Sequence, residues 1–207
     1  MRRPSFFAVL ALWLLAGVCF ASSASANVIM YSANLTGPNE SPPNASPGTG
    51  FALITIDDVA DTMRVQATFS DLLGTDTAAH IHCCTAIADT GTAGVATVTP
   101  TFTAFPLGVT SGTYDHSFVD MTSTSSGNYN PAFVTANGGT AAGAFNVLLA
   151  GMAASEAYFN IHSTVFPGGE IRGFLHVQEQ TVPEPATIAL LGIGLAGLGF
   201  GRRKRTG

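Results

Sequence analysis

Lysine is nearly absent from this chain: the one copy, Lys204, stands three residues from the end, and none lies between Met1 and Arg203. That excludes Schiff-base and lysine-nucleophile chemistry from the body of the protein, along with the phosphate-gripping lysine of a P-loop. Arginine is scarce too. Between Asn27 and Gln180 only Arg64 and Arg172 are basic, against twelve acids. A stretch this acidic repels phosphate backbones and anionic headgroups, which makes nucleic acid a poor partner and peripheral membrane binding a poor role, so no nucleic acid is expected. Tryptophan is represented only by Trp13. Also missing are G-x-S-x-G, H-E-x-x-H and a D-x-D-x-D-G calcium loop, and "DDVAD" at Asp57–Asp61 reads instead as a turn between strands. The chain is therefore expected not to be an enzyme and to carry no cofactor. No apolar run reaches the roughly 18 residues that mark a bilayer span outright.

Two shorter apolar runs are present, one at each end. Arg2 and Arg3 precede Phe6 to Phe20, and Ala24 and Ala26 follow in the small-x-small arrangement that signal peptidase accepts. Residues 1–26 thus read as a secretory signal with an ordinary positive n-region, and the mature chain is expected to start near Asn27. At the other end, the fifteen residues Ala186 to Phe200 would rise only about 22 Å as a helix, short of the roughly 30 Å hydrocarbon core. Arg202, Arg203, Lys204 and Arg205 follow at once. The positive-inside rule makes residues 186–201 a short transmembrane helix, leaves 202–207 as a basic cytoplasmic tail, and puts everything before about Pro185 outside the inner membrane.

Between these ends lies one domain, residues 27–177, followed by a polar spacer, 178–185. Period-two alternation dominates it. In "TMRVQATFS" the residues Met63, Val65, Ala67 and Phe69 face one way and Arg64, Gln66, Thr68 and Ser70 the other, the pattern of a half-buried antiparallel strand. Further strands are expected at 28–35, 51–56, 78–82, 113–120, 157–163 and 170–177. One helical segment is expected near 140–152, "TAAGAFNVLLAGM", although its glycines lower helix propensity. Many short strands without alternating helices predict an all-β fold, an antiparallel β-sandwich or barrel of Greek-key-like connectivity.

Three stretches, "ANLTGPNESPP", "AAHIH" and "AYFNIHSTVFPGGEIRGFL", resemble in that order the chordin-type (CHRD) domain over most of 27–177. The resemblance implies an extracellular β-rich module with no catalytic activity. In "FPGG", Pro167 fixes φ and two glycines can take positive φ, which suits a reversal between strands. Glu170 and Arg172, two apart, are expected on one strand face as a structural ion pair or as partners of a neighbouring strand.

The C-terminal parts, Pro183-Glu184-Pro185, a short apolar helix and the basic block Arg202 to Arg205, together resemble the PEP-CTERM sorting signal of exopolysaccharide-producing Gram-negative bacteria. That resemblance implies cleavage at the Pro-Glu-Pro motif by exosortase, a membrane transpeptidase. Prolines suit such a segment because they stop the helix and keep the chain extended. The precursor would then sit in the inner membrane transiently, and the mature form at the cell surface or outside it.

The remaining chemistry lies in His80, His82, His162, Cys83 and Cys84. Period two puts His80 and His82 on one face of a strand, and His162 lies in the other His-bearing motif, "NIH". Imidazoles at that spacing with a thiolate nearby are the donor set of copper or zinc. Paired strand histidines also often donate to backbone carbonyls, and that structural role is the stronger expectation, so no metal is expected. Adjacent cysteines in an oxidising compartment are compatible with a local redox clip, an intermolecular bridge or free thiols. The sequence thus predicts an exported noncatalytic cell-surface or extracellular-matrix module, with exopolysaccharide or envelope proteins as partners. The alternative is a periplasmic copper- or zinc-binding protein, with a redox role open to it.

Overall fold

Alternation becomes strand wherever it was expected. A computed structural model describes residues 28–123 and 127–178. The expected signal peptide with Ala24 and Ala26, the Pro183-Glu184-Pro185 motif, the apolar segment 186–201 and the basic block Arg202 to Arg205 lie outside the described residues. Among the described residues, no helix is long and apolar enough to cross a membrane.

The strands are β1 (Val28–Thr36), β2 (Thr49–Asp57), β3 (Thr62–Ser70), β4 (Asp76–His82), β5 (Gly112–Phe118), β6 (Tyr158–Ser163), β7 (Ile171–Phe174) and β8 (His176–Val177). They form one antiparallel sheet in the order β4-β6-β7-β1-β2-β3-β5, with β8 continuing β7 along β1. Residues 71–75 join β3 to β4, which stand near opposite ends of that order. So short a link reaches only because the sheet curls into a half-barrel.

The curl encloses the core. Leu35, Ile54, Ile56, Met63 and Val65 are fully buried from the middle strands, and Ile81, Phe159 and Ile161 from the β4–β6 end. Phe102, from the long connection between β4 and β5, has no exposed surface. Its ring lies 5.6 Å from Phe118 on β5 and 5.6 Å from Phe159 on β6, so one side chain packs against both ends of the sheet. The "DDVAD" turn forms as expected, with Asp57 Oδ1 accepting from the amides of Val59 at 3.1 Å and Ala60 at 2.8 Å.

Two helices complete the domain, α1 (Pro131–Ala136) and α2 (Ala141–Ala153). Helix α2 is the expected one, capped by the Thr140 hydroxyl on the amide of Gly143, and it adds Ala144, Phe145, Leu148 and Met152 to the core. Its glycines are sites of close approach. A Cβ at Gly151 would run into the sulfurs of Cys83 and Cys84, and one at Gly143 into the carbonyl of Asn137.

Candidate functional site

Antiparallel register decides which side chains meet. On β4 and β6, Ala79 lies opposite Ile161 and Ile81 opposite Phe159, and these four face the core. The other face therefore carries His80 opposite Asn160 and His82 opposite Tyr158, with His162 one step along; β7 adds Arg172 opposite Asn160 and Phe174 opposite Tyr158. In most half-exposed sheets this face would meet water. Here it is roofed. Segment 94–102 runs beside β4, with the Ala96 amide on the Ile81 carbonyl at 2.9 Å and the Phe102 amide on the Ala79 carbonyl at 3.1 Å, so the sheet edge is covered as well.

The roof supplies one carbonyl to each imidazole of β4. His80 Nε2 donates to Pro100 O at 2.5 Å and His82 Nδ1 to Ala93 O at 2.9 Å, while the "FPGG" turn does the same for His162, whose Nδ1 donates to Pro167 O at 2.9 Å. A carbonyl only accepts, so each bond fixes a tautomer and leaves the second ring nitrogen as a bare lone pair. Those second nitrogens, His80 Nδ1, His82 Nε2 and His162 Nε2, are buried and have no hydrogen-bond partner among the described residues. The three rings also converge, with one nitrogen from each lying within 4.8 Å of the others. His80 and His82 are less than a tenth exposed, and His162 is half-buried. Burial lowers all three rings, His80 and His82 to about 4 and His162 below the usual imidazole value, so they are neutral near pH 7. The backbone carbonyls pull the other way and are outweighed.

Cys83 and Cys84 do not join the histidines. They are bonded to each other, and their sulfurs turn towards α2, beside Val147 O and the space left by Gly151. Of the arrangements open to the sequence, the structure has the local clip.

Beside the histidines lies a second polar cluster, centred on Arg172. Its Nε donates to Asn39 O at 2.5 Å and its Nη1 to Gly91 O at 3.0 Å, and Glu40 Oε2 is 3.8 Å away. The guanidinium also stacks 4.7 Å from the Tyr158 ring, and that ring lies 4.8 Å from His82. Asn160 Nδ2 donates to Glu40 Oε1 at 2.7 Å and to Ile171 O at 3.0 Å. Burial pushes the Glu40 carboxyl up to about 7, against the pull of Arg172 and Asn160. Gly169, at φ 133°, lets the turn come this close, since a Cβ there would sit 2.8 Å from Glu40 Oε1 and from the Asn160 amide.

The expected Glu170–Arg172 pair does not form. β7 begins at Ile171, and Glu170 turns away to accept from Ser46 Oγ at 2.6 Å, Leu73 N at 2.5 Å and Gly74 N at 3.3 Å. Burial alone would raise this carboxyl, but these bonds together with Ser163 outweigh it and hold it below the usual range. Glu170 thus pins the link that joins β3 to β4. Sequence reasoning missed Glu40, Tyr158 and Asn160. Period two in "YFNIH" places Tyr158 and Asn160 beside His162, so that signal was available, whereas no local pattern brings Glu40 across from the other end of the domain.

A half-barrel with a carbonyl-tethered histidine cluster on its roofed face defines a β-rich module. The model of the CHRD domain matches residues 31–175, so the chain belongs to the CHRD domain family, and the three stretches that carried the resemblance meet around Arg172 and the histidines. A PEP-CTERM protein-sorting motif matches residues 181–205. That motif implies export, processing by exosortase and sorting to the cell envelope or surface. No curated protein and no solved structure matches this chain.

Proposed function

We propose that the exported body is a noncatalytic module of the cell surface or extracellular matrix, delivered by exosortase. The observation that carries this reading is the presence of a CHRD domain and a PEP-CTERM motif in one chain. Residues 186–201 hold the precursor in the inner membrane, with Arg202 to Arg205 on the cytoplasmic side, until cleavage at Pro183-Glu184-Pro185 releases the domain. The lysine-free, acidic body supports a life outside the cell, because self-repulsion keeps it soluble. Its partner is exopolysaccharide or another envelope protein. An open cleft of about 600 Å³ beside Arg172, lined by Asn34, Asn39, Asp89 and Phe174 among others, offers amide, carboxylate and aromatic groups together, a mixture suited to a sugar chain.

Replacing Glu184 by Ala removes the recognised motif, and deleting residues 202–205 removes the orienting charge. Both changes are expected to leave full-length precursor in the inner-membrane fraction on immunoblots, where wild type gives the shortened form outside it. Release of both variants at the wild-type level would overturn the sorting route.

A further inference from the structure

We propose that His80, His82 and His162 form a three-histidine centre for a late first-row transition metal, with copper bound in preference to zinc. This goes beyond the sorting reading and does not depend on it. Each ring is already oriented by a backbone carbonyl on its far nitrogen, through Pro100, Ala93 and Pro167. Such outer contacts set the tautomer and direction of metal-binding histidines. One nitrogen of each ring is buried and unpartnered among the described residues, and the three rings bring a nitrogen each to within 4.8 Å of the others. A buried acceptor without a donor is destabilising, and three in one place are a concentration of cost that a cation removes at once.

The distances define what binding entails. Metal–nitrogen bonds of about 2.0–2.1 Å at tetrahedral or trigonal angles place the donors roughly 3.5 Å apart. The rings therefore close by about 1 Å on the ion, a movement that small ring rotations supply while the carbonyl bonds persist. His162, the least buried of the three, is the side from which an ion enters.

The donor set selects the ion. Three imidazoles with no carboxylate among them do not suit calcium or magnesium, which take oxygen ligands. For a nitrogen site the divalent series runs to copper, with zinc below it. The disulfide-bonded cysteines face α2 and contribute no sulfur.

The test uses the exported protein, purified after export, stripped with EDTA, and titrated with Cu(II) or Zn(II) against a chromophoric chelator. Wild type is expected to take up one equivalent of either metal, with copper displacing zinc. His162→Ala is expected to weaken copper binding at least about a hundredfold, beyond the effect usual for losing an outer contact. His116→Ala, on β5 in the other half of the sheet, is expected to bind as wild type does. Circular dichroism checks that both variants are folded, and His162→Gln, which keeps a polar group beside the turn, guards against a folding defect. X-ray absorption of the copper-loaded wild type is expected to show a nitrogen shell with imidazole scattering. Equal copper affinity in wild type, His162→Ala and His162→Gln, or sulfur in the first shell, would overturn the proposal.

Discussion

The two halves of the sheet obey different rules. In β2 and β3, buried residues alternate with accessible ones, so one face meets the core and the other meets water. In β4, β6 and β7 almost every residue is buried, because loops roof the outer face. The first half buries apolar groups on one face and leaves its polar side chains to water. The second must satisfy polar groups away from solvent, and it does so with carbonyls and side chains drawn from distant parts of the chain. Polar chemistry thus concentrates where the sheet has lost its wet face, and substitutions on the outer face are expected to cost much more there.

The largest expected effect breaks both halves together. Phe102→Ala empties the space between Phe118 and Phe159, and a cavity of that kind costs about 3–5 kcal/mol, to be read from urea unfolding. A loss below about 1 kcal/mol would mean that the two ends of the sheet do not depend on this ring.

The next concerns pH. The Glu40 carboxyl titrates at about 7 in the folded protein against 4.5 unfolded, so between those values the native state holds a proton that the unfolded chain has released. Stability from this group therefore falls as pH rises from about 4.5 to 7, by up to about 3 kcal/mol. His80 and His82 act in the opposite sense, because their folded values of about 4 lie below the unfolded 6.5 and acid destabilises them. Glu40→Gln separates the two. It keeps an acceptor for Asn160, and relative to wild type it is expected to gain stability steadily across that window; a constant difference would remove the assignment.

Asn160→Ala leaves Glu40 Oε1 and Ile171 O without their donor and is expected to cost about 1–3 kcal/mol in the same unfolding experiment. The smallest effect belongs to the wet face. Arg64 and Asp115 pair across β3 and β5 with both side chains half-exposed. Arg64→Ala is expected to leave the melting midpoint within the scatter of repeats at moderate salt. A shift matching that of Asn160→Ala would erase the distinction between the halves.

Legibility in the sequence follows the same division. β3 is found to within a residue because its alternation is local, and α2 is found despite two glycines. Those glycines lower propensity for a tertiary reason, the close approach of Cys83, Cys84 and Asn137, which no local window contains. Helix α1 went unread. Six residues with one buried side chain show no period, although Asn130 followed by Pro131 is a starting signal, with Asn130 Oδ1 accepting from the Ala132 amide at 3.0 Å. At the site, period two placed His80 beside His82, and the motifs pointed to His162. What the sequence withheld was the roof: Ala93, Pro100 and Pro167 act through backbone oxygens, and a carbonyl has no letter of its own. Glu170 and Arg172 illustrate the same limit, since an even spacing implies a shared face only while both residues are in the strand.

The place of β1 in the sheet has a consequence for the order of events. This strand, the first of the domain, has β2 on one side and β7 and β8, the last, on the other. Glu40, just beyond β1, waits for Asn160, 120 residues later. A chain made and exported from its N-terminus delivers β1 and β2 early and can zip them into a hairpin, yet one flank of β1 stays bare until the final strand arrives. Closing contacts so far apart is slow. Folding is thereby tied to the passage of the whole domain, and a chain arrested before Ile171 presents an open strand edge to whatever lies beside it.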